Sequence, residues 1–306
     1  MAAGDLPSAL EEPVWFERLC EPTWLLPRAR EGATRVAFVA ESGDDRDRDL
    51  LVGLPLYLAE SVRFATQAVA IAMTAPLPSG SGDISALLVD ASIVVTTSLG
   101  GTLEGRRLNL RVDGPNGALL DDELPATDGD ELAETIADLP RRVTDAVRAT
   151  GVSGTWAPVY APPSTSQAVR YLHAHRACLE LGDDALYPPA DDDPEIVSAR
   201  RTIVKALLGA LADFAQRAHG AFPTLLYFGG LAAAFAHGSS LPLEFRLQTN
   251  ALCMEAKDPM DLAYRLSALA LRLQGDVSIA ERRARTLEGI GDRALAEWLT
   301  RVEAVR

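Results

Sequence analysis

Between Ala91 and Leu124 the apolar and polar positions alternate as they do in strands. Leu108, Leu110 and Val112 interleave with Asn109, Arg111 and Asp113, a period of two that assigns one set to a buried face. Val94-Val95 and Thr96-Thr97 add β-branched residues, which suit a pleated surface. Glu104-Gly105 and Asn116-Gly117 fall where hairpins need residues tolerant of positive φ. The stretch predicts three consecutive antiparallel strands.

Upstream, RVAFVA (Arg35–Ala40) and AVAIAM (Ala68–Met73) read as short buried strands. Residues 50–67 between them read as a helix with Leu54, Leu58, Val62 and Ala65 on one stripe. Pro55 suits a first turn, which moves the expected start toward Gly53. Strand, helix and strand make a βαβ unit, whose crossover is expected to be right-handed. Residues 76–83 predict a loop and 84–89 a short helix. Downstream of the meander, Asp130 is the expected N-cap of a helix. Leu132, Ile136, Leu139, Val143 and Val147 line its buried face, Pro140 bends it, and Gly151 stops it. Residues 1–34 form an arm with a short helix around Val14–Cys20. Its Trp15, Phe16 and Trp24 dock on the arm's own domain.

The proline-rich segment 151–163 is the expected domain boundary. Beyond it the pattern is helical throughout: Ser166–Leu181, Asp193–His219, Pro223–His237, Pro242–Lys257, Pro259–Gln274, Ser278–Leu287 and Asp292–Val305. Asp193-Pro194 and Asp258-Pro259 place proline just inside a capped start, and Ser278 with Glu281 has capping-box spacing. Short gaps between such helices predict antiparallel neighbours in a bundle or hairpin array. The fold class expected is α/β plus α: an arm over 1–34, a small mixed-sheet domain over 35–155, and an all-helical domain over 164–306.

Composition narrows the functions open to such a chain. An apolar content of 48% over 306 residues suffices for two cores. The net charge of -14 disfavours binding to a nucleic-acid backbone, which needs clustered Lys and Arg. The acidity is concentrated: residues 1–160 hold 13 arginines against 25 carboxylates, whereas 161–306 are nearly balanced. Cys20, Cys178 and Cys253 are odd in number and form no CxxC, so neither a disulfide framework nor a zinc site is expected. The first ten residues lack the pattern of a signal peptide, and no apolar run reaches the roughly 20 residues of a membrane span. A cytoplasmic protein is the expectation.

The order of elements resembles the TolB amino-terminal-like (FlgO-like) α/β domain of bacterial proteins. The likeness rests on RVAFVA, the helix after it, AVAIAM, Ile93–Leu99 with Gly100-Gly101, Arg106–Asp113, Asn116-Gly117 and the amphipathic helix beyond. Residues 169–176 (VRYLHAHR) are similar to the helix that opens a tetratricopeptide-like array. The resemblance spans roughly residues 35–181. Departures are visible: Ala40-Glu41-Ser42 stands where that family more usually carries Pro-Phe, and the later helices show no clean 34-residue repeat. The resemblance implies recognition of protein partners and carries no catalytic residues.

Motifs for chemistry mostly fail on spacing. Asp45, Asp47 and Asp49 have calcium-loop spacing, but Leu50 and Leu56 replace the turn glycine and the bidentate glutamate. His173 and His175 are two apart on a helix and face different sides, so they cannot share a metal. His175 and Cys178 share a face. A buried cysteine beside a partly exposed histidine is the expected arrangement, because no third group or oxyanion site accompanies a nucleophile. His219 and His237 read as helix-end caps. Gly100, Gly101 and Gly105 form no phosphate loop, and Ser98 and Ser153 lie in no nucleophile elbow. Asp121-Asp122-Glu123 and Asp191-Asp192-Asp193 read as solvated charge runs. The apolar helix with Phe222, Tyr227, Phe228 and Phe235 reads as core.

No catalytic, cofactor-binding or metal-ligating residue is therefore assigned, and no cofactor. The expected function is a non-catalytic bacterial interaction or scaffolding protein with protein partners, no nucleic acid and no membrane span. The alternative is a small-ligand-sensing module with a pocket between sheet and helices. An enzyme with a site assembled from scattered residues is the third reading.

Overall fold

A computed structural model of the chain describes residues 9–17, 21–23, 26–41, 47–77, 91–101, 105–127, 129–154, 163–186, 257–259, 264, 277–291 and 293–304. The loop and short helix expected over 76–89 lie outside these residues from 78 onward. So do Cys20, Trp24, Cys253, His219, His237, Asp191–Asp193 and the helices expected from Asp193 to Lys257.

Six strands form one mixed sheet. They are β1 (Ala9–Leu10), β2 (Arg35–Ala40), β3 (Val69–Met73), β4 (Ile93–Gly100), β5 (Arg107–Gly114) and β6 (Gly117–Pro125). Their order is β1-β3-β2-β4-β5-β6, with β2 parallel to β3 and β4 and the other pairs antiparallel. Helix α1 (Arg48–Ala65) connects β2 to β3, which completes the expected βαβ unit. The meander β4–β5–β6 is also as expected. Leu108, Leu110 and Val112 are fully buried, while Arg107, Asn109 and Arg111 are exposed. Burying each of those three aliphatic side chains contributes about 1.5–3 kcal/mol.

The second hairpin turns differently from its sequence cue. Its turn residues are Pro115 and Asn116, between the paired Gly114 and Gly117. A proline φ is fixed negative, which excludes the turn type with positive φ at both central positions. The positive φ (116°) falls on Gly117, and one extra residue, Leu119, is accommodated in β6 as a bulge.

Helix α2 (Asp130–Ala149) packs on β6 and on α1. Thr135 donates from its hydroxyl to the Pro125 carbonyl (2.6 Å), and Arg142 donates to Asp122 (2.9 Å). Asp122 stands opposite Leu110, so α2 covers the apolar face of the meander. Its five expected core residues are all buried and Gly151 follows its end, but Asp130 is not the cap. Gly129 occupies that position without a side-chain bond, and Asp130 with Glu131 instead places negative charge in the first turn, where the helix dipole favours it. The other face of the sheet carries a smaller cluster of Val39, Met73, Leu77 and Val94, with Ala91 against it.

Two expectations near the ends of elements fail for identifiable reasons. The first is the start of α1, which begins at Arg48 and not near Gly53, so Pro55 lies inside the helix. The second concerns the arm: residues 14–17 form a turn, not a helix, and Ala9–Leu10 adds an edge strand to β3 that two residues of sequence do not announce. Glu11 bonds Arg35 (2.5 Å) beside that strand, and Glu12 lies 3.5 Å from the buried Arg63. Trp15 and Phe16 are buried, but residues 14–28 group with residues 177–306 and not with the sheet on which the arm was expected to dock.

The chain divides into two compact units, Met1–Pro13 with Ala29–Arg176, and Val14–Arg28 with Ala177–Arg306. Helix α3 (Thr165–Leu186) contributes to each. Its residues Tyr171, Leu172 and His175, expected beyond a boundary at 151–163, pack against α1 and belong with the sheet. In the second unit the described elements include α4 (Val277–Gly289) and α5 (Arg293–Ala304), which pack together, and Arg283 lies over the Tyr264 ring at 4.4 Å. Ser278 is the second residue of α4, inside the helix and not its cap.

Candidate functional site

Helix α1 is buried at every position from Leu50 to Thr66. A helix so enclosed must satisfy its polar side chains internally. Ser61 and Thr66 do so by donating to carbonyls one turn back, Tyr57 and Val62 respectively. Glu60 does so across the interface with α3.

Gly53, Tyr57 and Glu60 recur at helical spacing and form one stripe of α1, while Ala168, Tyr171, Leu172 and His175 form one stripe of α3. At Gly53 the two backbones approach closely. A Cβ placed there would lie 2.6 Å from the Leu172 carbonyl oxygen, so only glycine fits. One helical turn on, Tyr57 meets Tyr171 edge-on with ring centroids 5.5 Å apart, and His175 lies at 6.0 Å. The Tyr171 hydroxyl donates to Glu60 Oε1 at 2.7 Å. His175 Nε2 lies 3.1 Å from the same oxygen, and His175 Nδ1 lies 3.0 Å from the Tyr171 carbonyl.

These contacts dictate the protons. A carbonyl oxygen only accepts, so Nδ1 carries a hydrogen and donates it. Nε2 then faces a carboxylate oxygen that already accepts from Tyr171. Glu60 and His175 are both essentially without solvent exposure, so an uncompensated charge on either is costly. Burial, and secondarily the Glu60 carboxylate, push the Tyr57 hydroxyl well above the ordinary tyrosine value, and it stays protonated. That hydroxyl is buried and has no hydrogen-bond partner among the described residues.

Other residues weighed from the sequence are dispersed. His173 faces outward, as the spacing requires. His175 is fully buried and not partly exposed, because its imidazole is held by Glu60 and Tyr171; Cys178 is buried as expected. Asp47 pairs with Arg106, and its helix start uses no side-chain cap. Ser98 accepts weakly from Asn109 (3.4 Å), and Ser153 lies 3.5 Å from Gln67. Asp122 bonds Arg142 and Glu123 approaches Arg107 at 3.6 Å, so this charge run is a salt-bridged face. Among the described residues no group of three or more His, Cys, Asp or Glu side chains could hold a metal ion. Among them, too, no helix is long and apolar enough to cross a membrane.

Sequence reasoning missed Glu60 altogether. One signal was present: a carboxylate in the run LPLYLAESVRFA, whose other positions are too apolar for a surface helix. No protein-family model matches the chain, and no curated protein matches it.

Proposed function

We propose that this is a non-catalytic interaction or scaffolding protein acting inside a bacterial cell, in which the mixed-sheet unit engages a protein partner. The single observation behind this reading is the uneven cover of the sheet. On β2 and β3 both faces are buried, whereas across β5 and β6 one face leaves Arg107, Asn109, Arg111, Asp121 and Glu123 exposed. Polar side chains on an exposed sheet face can supply the rim contacts and orientation of a specific interface. A TolB amino-terminal-like relationship and a helical bundle in the second half are part of the same proposal; the order β-α-β followed by the meander supports the first of these. The test is capture from a bacterial lysate of the genus that encodes the chain, comparing wild type with Asn109→Ala/Arg111→Glu. A partner retained by wild type and lost from the double variant, with an unchanged melting temperature, supports the reading. Identical profiles overturn it.

The second reading, a small-ligand-sensing module, is favoured by one observation: the partnerless buried hydroxyl of Tyr57 beside Glu60 and His175. A polar ligand reaching that cluster at 100 times its Kd would stabilise the fold by about 2.7 kcal/mol, which a thermal-shift screen detects.

A further inference from the structure

Strand β6 ends the sheet, with β5 on its inner side and no strand on its outer side among the described residues. We infer, building on the reading that the mixed-sheet unit engages a protein, that this edge takes up an extended segment of the partner as an added strand. Basic side chains alternate with apolar ones along that segment.

The ladder fixes which backbone groups are on offer. Ala126 donates its N–H to the Arg106 carbonyl (3.0 Å), which stands directly opposite in the register that pairs Arg107 with Pro125. Opposed residues that bond in this way recur at every second position of an antiparallel pair. On β6 they are Leu124, Asp122 and Leu120, so the residues between them, Asp121 and Glu123, turn N–H and C=O away from β5. None of the nine residues of β6 is buried, so these groups are reached from outside. The opposite edge, β1, is two residues long and too short to template a strand.

Side chains select the occupant. Asp121 and Glu123 lie on the exposed face. Arg111, opposite Asp121, is turned to Asp113 through two hydrogen bonds (2.7 and 2.9 Å). Leu120 and Leu124 are half-buried on the face that α2 covers. A strand with Lys or Arg beside the carboxylates and apolar residues beside the leucines extends both faces. A second copy fits poorly. Pairing two β6 strands over their full length, in either direction, sets Asp121 against Asp121, and like charges directly opposite are destabilising. The net charge of -14 repels a second copy at longer range as well.

The probe is a fluorescein-labelled peptide of alternating Lys and Val, titrated against the full chain by fluorescence polarisation at low salt. Saturable binding is expected, with a matched Glu-Val peptide weaker by about tenfold or more. Two further peptides keep the charges but carry backbone N-methyl groups, one on its lysines and the other on its valines. In an extended strand only one of these sets of N–H groups points at β6. One peptide therefore binds like the parent, and the other loses about tenfold or more. On the protein, Glu123→Pro removes an outward donor and no rung of the β5 ladder. Its melting temperature holds, and its binding falls further than that of Glu123→Gln. Should the proline variant fail to fold, the methylated pair decides. Absence of saturable Lys-Val binding overturns the added strand. So does equal behaviour of the two methylated peptides, which marks attraction by charge alone. A concentration-dependent dimer abolished by Glu123→Pro also overturns it, because a second copy is then the occupant. A lysate partner lost from Asn109→Ala/Arg111→Glu but kept by Glu123→Pro overturns the edge while the broader reading stands.

Discussion

Helices α1 and α2 share one face of the same sheet and pack on each other, yet they follow opposite rules. Helix α2 is amphipathic: a stripe from Leu132 to Val147 is buried, while Glu131, Glu134, Arg141 and Asp145 face solvent. Helix α1 has no solvent face over Leu50–Thr66. An outer helix needs one apolar stripe and can spend its remaining positions on charge. A central helix needs apolar or internally satisfied residues all round, and on α1 Glu60, Ser61 and Thr66 bond within the fold while the Tyr57 hydroxyl is the exception. The difference separates a cover of the sheet from the element around which the unit is assembled.

The sharpest way to break this comparison is a charge placed on α1. Leu54→Asp puts a carboxylate at a fully buried position. The loss should be a large share of the roughly 5–15 kcal/mol that holds a domain together, and chemical denaturation should find the unit unfolded. A folded Leu54→Asp protein would mean that α1 has an open side. Next in size is Leu139→Ala in the buried stripe of α2, expected to cost about 2–5 kcal/mol by the same measurement. Its solvent-face neighbour Arg141→Ala should change stability by no more than about 0.5 kcal/mol. Equal costs for that pair would erase the distinction between the faces of α2.

Gly53→Ala sharpens the comparison, because the two helical effects oppose each other there. Alanine is the better helix former by about 1 kcal/mol. The new methyl, however, meets the Leu172 backbone, which cannot swing aside as a flexible side chain would. Overpacking of about 1–3 kcal/mol should win, and the variant should melt below wild type. A higher melting temperature would show that α3 is not seated on α1.

The smallest effect expected is an acid dependence on α2. Burial pushes the Asp138 carboxyl up, but hydrogen bonds from Arg142 and Arg141, together with their charges, outweigh it and hold the carboxyl below its usual range. A depressed folded value means that its contribution is present above the unfolded carboxylate pKa and lost as pH falls through the folded one. Side-chain exposure and salt screen most of it. Asp138→Asn should slightly flatten the acid limb of a stability-versus-pH curve at low ionic strength, and the two curves should converge at high salt.

The legible parts of the fold were those in which one face meets solvent. Leu108, Leu110 and Val112 could be read against Asn109 and Arg111, and Leu132 to Val147 against their charged neighbours, because burial and exposure alternate with the period of the element. The start of α1 was misread because Gly53 and Pro55 look like punctuation. At Gly53 the glycine serves a helix crossing, which depends on a residue 119 positions away. The Asn116-Gly117 cue located the hairpin correctly but not its turn type, since Pro115 excludes the positive φ it requires.

The candidate site was illegible for the same reason. Tyr57 and Glu60 are separated from Tyr171 and His175 by more than a hundred residues, and the ring exists only where α1 and α3 cross. By itself the sequence determined the βαβ lead-in, the antiparallel meander, the amphipathic cover helix and the absence of recognised motif spacings, all of them properties of local period and composition. Which helix is central, where α3 docks, and that a lone carboxylate in an apolar run meets a tyrosine hydroxyl and a histidine ring were decided by tertiary structure alone. Local pattern records whether a residue is buried, but the partner that makes burial of a charge tolerable is set by the packing of distant segments.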